Sequence, residues 1–107
     1  MSKVITECKL EPEFLAELKT LGKIVGVAIM SPEGKIISMP APNRHHNVIR
    51  FMANTLGFPT PIDGQQGFIT EDGSFVDRAS AKYIASWHKQ LLPRASKSDK
   101  LFSECVW

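Results

Sequence analysis

The chain has 107 residues, 43% of them hydrophobic and 22% charged, with a formal net charge of +2 at neutral pH. That length suits one domain, residues 1–107, with a modest core. The 13 basic residues are scattered among 11 acids, which argues against long nucleic acid as a partner, and no apolar run approaches the roughly 20 residues that cross a bilayer.

The opening MSKVITECKLEPEF carries acids where a secretory leader would be greasy, so a cytoplasmic protein is expected. Residues 11–21, EPEFLAELKTL, place Pro12 at a helix start, acids in the first turn and Phe14, Leu15 and Leu18 on one side, with Gly22 as a stop. KIVGVAIM and KIISMP are β-branched runs separated by Ser31-Pro32-Glu33-Gly34, the pattern of a hairpin. Pro40 and Pro42 then break the strand. Asn43 is placed to cap a helix that runs to Gly57, with Val48, Ile49, Met52, Ala53 and Leu56 forming its buried stripe and Asn47, Arg50 and Asn54 facing out.

After the loop FPTPIDGQ, the segment QGFITEDGSFVDR predicts a second hairpin turning at Glu71-Asp72-Gly73. Asp77 can cap a last helix, RASAKYIASWHKQLL, whose stripe includes Tyr83 or Ile84, Trp87 and Leu91 before Pro93. RASKSDK reads as a solvated linker. The tail LFSECVW would expose Leu101, Phe102, Val106 and Trp107 unless residues 99–107 dock on the domain or on a neighbouring subunit. The expected class is α+β: a small antiparallel sheet built from two hairpins, covered on one face by two to three helices.

Arg44, His45 and His46 open the central helix, where unpaired amides and the positive end of the dipole already gather donors. A phosphate-bearing small molecule fits that corner. An ordinary structural reading competes, in which the three residues merely solvate a helix start. Their length costs side-chain entropy, and the dipole disfavours imidazolium, so a ligand or acidic partner is expected to offset both. Neighbouring helical positions point about 100° apart, so His45 and His46 are poor joint metal ligands, and no metal is expected.

Gln66-Gly67-Phe68 enters a strand with an amide, a residue permitting close backbone approach and a ring able to stack on a purine, although Phe68 and Phe75 also suit a hairpin core. Asp77-Arg78 reads as a cap and a cation that opposes the dipole unless an anion joins it. Cys8 and Cys105 lack zinc spacing and read as free thiols, and no GxSxG, P-loop, dinucleotide-binding glycine pattern or HExxH is present. Neither a catalytic residue nor a cofactor is predicted. His88 reads as a surface residue. A phosphodiesterase using His45 or His46 with Arg44, and a small interaction protein that blocks a host factor through its apolar tail, stay open as alternatives.

RHHNVI, QGFITEDGSFVDRASAKYIA, the KQ at 89–90 and LFSECVW together resemble the first described family of Thoeris anti-defence proteins over residues 43–107. These are phage-encoded sponges that sequester cyclic ADP-ribose isomers made by a TIR-domain immune enzyme. The resemblance implies a sheet-plus-helix fold, homodimers that assemble further into hexamers, and binding without cleavage in pockets between protomers. Some relatives also hold cyclic oligonucleotides at separate sites. By motif, Arg44, His45 and His46 match the helix-opening cluster, Gln66, Gly67 and Phe68 the strand entry, Asp77 and Arg78 the second hairpin's exit, and Ser103 and Glu104 the tail. Two positions depart from the pattern: Cys105 stands where the family has an acid, and Lys89 where it has a glycine. Residues 1–42 match no motif of the family.

Overall fold

The computed structural model describes residues 3–59, 64–93 and 101–107. Its elements are β1 (Val4–Ile5), α1 (Pro12–Lys19), β2 (Ile24–Met30), β3 (Ile36–Pro40), α2 (His45–Asn54), β4 (Gln65–Thr70), β5 (Phe75–Asp77) and α3 (Arg78–Trp87), with a 3-10 turn at Ser103–Cys105. The class is α+β, as the residue patterns predict, with one correction to the sheet. It has five strands in the order β1-β5-β4-β2-β3, and β1 runs parallel to β5, so the sheet is mixed and not purely antiparallel. Two residues of strand carry too little periodicity to announce themselves. What holds β1 is pairing at its own end: Lys3 donates from its N–H to Ser74 Oγ (2.9 Å) and accepts from Phe75 N–H (2.9 Å).

Both expected hairpins form. At the first turn Ser31 N–H bonds Lys35 O (2.7 Å) and Gly34 N–H bonds Ser31 O (2.9 Å). At the second, Asp72 Oδ1 accepts from Thr70 Oγ1 (2.6 Å) and Ser74 N–H (3.0 Å), so a side chain completes what the backbone of a tight turn leaves open.

Strand register sorts the side chains into two faces. Val27, Phe68 and Val76 lie opposite one another on one face, and Ala28, Gly67 and Asp77 on the other. The first face carries the core, where Val27, Ile29, Phe68 and Val76 meet Leu18 of α1, Val48 and Met52 of α2, and Ala81, Ile84 and Ala85 of α3. All three helices therefore cover one face. The apolar tail joins this core through Leu101 and Cys105, both buried, so it packs on the domain itself.

Helix boundaries depart from expectation in three places. Arg44, not Asn43, is the N-cap of α2: Asn43 turns its amide to Pro40 O (2.8 Å), while Asn47 Oδ1 accepts from the Arg44 N–H (2.8 Å). The helix ends at Asn54, leaving Leu56 off the stripe and 46% exposed. α3 stops at Trp87, short of Pro93, because Lys89 adopts a left-handed conformation (φ 56°) that no α-helix continues through. Gln90 then turns its side chain onto β2, accepting from Ile24 N–H (2.9 Å) and donating to Ile24 O (2.8 Å) beside the register shift at Ile24/Gly26. The linker predicted over residues 94–100 and the middle of the FPTPIDGQ loop, residues 60–63, lie outside the described residues.

Candidate functional site

Most of the residues singled out by sequence converge on one corner, where the first half of β4 separates the starts of α2 and α3. On the α2 side, the Arg44 guanidinium donates to the backbone oxygen of Trp107 and to Ser103 Oγ (3.5 Å), and Trp107 Nε1 donates to Asn43 O (2.8 Å). The helix start that was expected to meet a ligand thus holds the tail of its own chain.

His45 faces inward and His46 outward, following the angular step between adjacent helical positions. His45 is 9% exposed, and its Nε2 lies 2.8 Å from Gly67 O. A carbonyl can only accept, so Nε2 carries the proton. Burial pushes the imidazole below its ordinary value of 6.5, the Gly67 carbonyl pulls it partly back, and the charge of Arg78 lowers it further. The ring also meets Phe68 edge-on at 5.1 Å, and Phe68 meets Trp107 edge-on at 6.4 Å.

Two sequence expectations for β4 change on this geometry. Phe68 is 0% exposed and packed between His45 and Trp107, leaving no face open to a base. At Gly67 the close approach belongs to the protein itself, since a Cβ there would stand 2.3 Å from Val76 O and 2.6 Å from the Phe75 ring. Both residues build the corner. Neither offers a free surface to a ligand.

On the α3 side the arrangement is open. Gly64, Gln65, Gln66, Asp77, Arg78 and Ala79 line a cleft of about 310 Å³ at the open end of the β4–β5 hairpin. Asp77 caps α3, its Oδ2 accepting from Ala79 N–H (3.2 Å). Arg78 reaches back to Gln66 Oε1 and lies 5.1 Å over the Phe102 ring, while its backbone oxygen accepts from Leu101 N–H (3.0 Å). Gln65 ties the cleft to the N-terminal segment by donating to Thr6 O (2.6 Å).

Among the described residues two buried polar atoms at this helix start have no hydrogen-bond partner, Asp77 Oδ1 and Arg78 Nε, while the buried Ser80 hydroxyl has the Cys8 thiol as its neighbour. Buried donors and acceptors are nearly always paired, so two orphans on adjacent residues mark a place for something else to complete. The Cys8 thiol lies beside Ser80 and in the field of Asp77, with its pKa raised chiefly by burial, so it is a poor nucleophile.

Of the site residues predicted from sequence, Gln66, Asp77 and Arg78 share the cleft; Arg44, His45 and Ser103 hold the adjoining corner; and His46 is exposed at the start of α2. The Glu104 side chain lies outside what is described. Sequence reading missed Gln65 and Ser80. Ser80 stands at the third position of α3, where a polar residue after an aspartate cap is itself a helix-start signal. Among the described residues, no group of three or more His, Cys, Asp or Glu side chains could hold a metal ion, and no helix is long and apolar enough to cross a membrane.

Residues 23–107 match the sequence model of a family described as "Phage T4 y16D protein", which takes in the sheet from β2 onward, both helix starts of the corner and the tail. No curated protein and no solved structure shows significant similarity to the chain.

Proposed function

The chain belongs to the phage T4 y16D protein family, and from that premise we propose that it captures a phosphate-bearing cyclic nucleotide, a cyclic ADP-ribose isomer made by a TIR-domain immune enzyme, and holds it unchanged. Such a protein would act for a phage against host defence. The observation that carries this reading is Arg78, which lines the cleft at the N-terminus of α3 and whose buried Nε has no hydrogen-bond partner among the described residues. A buried cationic donor beside converging helix amides suits a phosphate oxygen, which would satisfy the guanidinium and the dipole together.

Turnover through His45 is disfavoured. A general base needs a nitrogen within reach of the substrate, whereas the His45 ring is buried, with its Nε2 proton on Gly67 O. Sequestration works by affinity, and a nanomolar complex requires about −12 kcal/mol, which a cleft closed by a second protomer would help supply. The resemblance to sponge proteins supports a homodimer, with hexamers as a further assembly.

Titration calorimetry of the full chain against a panel of cyclic ADP-ribose isomers should find one bound at nanomolar strength, and light scattering gives the assembly state. Ligand released by heat should be chemically intact by mass spectrometry. Recovery of a hydrolysed product would overturn the sponge reading in favour of a phosphodiesterase.

A further inference from the structure

We propose that the cleft at the start of α3 selects for a ribose hydroxyl, and that Asp77 is the residue that selects it. This rests on the nucleotide-capture reading and adds what the ligand must carry besides phosphate. Asp77 is 7% exposed, lines the cleft, and uses only Oδ2 to cap the helix; Oδ1 has no partner. A carboxylate oxygen can only accept, so whatever completes it must bring a hydrogen-bond donor. A bare anion would meet repulsion at that oxygen, whereas the Arg78 guanidinium one residue on attracts it.

The two orphans therefore ask for opposite things from neighbouring positions. Arg78 Nε asks for an acceptor and Asp77 Oδ1 for a donor. A sugar phosphate carries both within a few bonds, with phosphate oxygens for Arg78 and sugar hydroxyls for Asp77.

The test compares cyclic ADP-ribose isomers with their deoxyribose counterparts by calorimetry on the full chain, for the wild type and Asp77→Asn. Asparagine caps a helix as well as aspartate does, so the variant keeps the fold while placing amide donors against the sugar donors. The wild type should favour the ribose form by about tenfold or more, and Asp77→Asn should reduce that ratio to near one. Circular dichroism verifies folding, and Asp77→Ser, which retains a capping oxygen, substitutes if the asparagine variant does not fold.

Equal wild-type affinity for the two sugars would overturn the hydroxyl contact and leave nucleotide capture standing. Discrimination that survives both substitutions would show that another group reads the sugar, which also sinks the assignment to Asp77. If neither sugar form binds, nucleotide capture fails and this inference goes with it.

Discussion

Arg44 donates from its guanidinium to the backbone oxygen of Trp107, joining the start of α2 to a residue 63 positions later. The Trp107 indole returns a hydrogen bond to Asn43, so the last residue and the helix start grip each other from both sides. Removing either partner leaves a half-buried polar group unsatisfied. Arg44→Ala should cost about 1–2 kcal/mol by urea denaturation, and Trp107→Ala about 2–3 kcal/mol because ring packing on Phe68 goes as well. Trp107→Ala keeps the backbone oxygen that Arg44 reaches, so each variant removes one of the two hydrogen bonds; an Arg44→Ala protein within about 0.5 kcal/mol of wild type would mean that its bond contributes nothing.

The depressed pKa of His45 makes stability depend on pH in a definite direction. Below its ordinary value of 6.5, the unfolded chain takes up a proton that the buried ring resists, so protons are bound preferentially by the unfolded state. Stability is therefore highest above 6.5 and falls as pH drops through it, levelling once pH passes below the folded pKa. Thermal melts between pH 7.5 and 5 should show this loss, and His45→Gln, which can still donate to Gly67 O, should flatten it. Asp72 acts in a separate window. Burial is the largest single influence and opposes its ionisation, but hydrogen bonds from Thr70 and Ser74 together outweigh it and lower the pKa below 3.8, so its contribution disappears only in stronger acid.

Gly67 has no room for a side chain. With Val76 O at 2.3 Å and the Phe75 ring at 2.6 Å from a built Cβ, Gly67→Ala must displace backbone of the neighbouring strand and not merely a flexible side chain. The expected loss is about 3 kcal/mol, near the upper end for overpacking, with disruption of the His45 contact to the same residue. Chemical denaturation checks this; a variant within about 0.5 kcal/mol of wild type would contradict the close packing.

What the sequence made legible follows physical range. Period-two and helical stripes are local, and they located both hairpins and the helices at Pro12, His45 and Arg78. Pairing of Val4–Ile5 with β5 spans some seventy residues and leaves no local trace. Gln66, Asp77 and Arg78 were findable because polar residues at a strand entry and a helix cap stand out against their apolar surroundings. The engagement of Arg44 with Trp107 was not, since a guanidinium at a helix start looks the same whether a ligand or the chain's own tail completes it. Ser80 shows a similar ambiguity: its type suits a helix start, but only the fold shows that it is buried beside Cys8.

Lys89 offers a gain in stability. It sits just past the end of α3 with φ 56°, a conformation in which a side chain crowds the backbone and glycine does not. The lysine therefore accepts strain that a glycine would avoid. Lys89→Gly should relieve it and stabilise the fold by about 1 kcal/mol, offset in part by the greater freedom of glycine in the unfolded chain. For a domain near this size that corresponds to a rise in Tm of about 4–8 °C at most. Because the Gln90 side chain anchors Ile24 immediately afterwards, the turn keeps its course without the lysine Cβ. Differential scanning calorimetry of the two proteins decides the matter: a lower Tm for Lys89→Gly would mean that the lysine side chain contributes more through its own contacts than its backbone conformation costs.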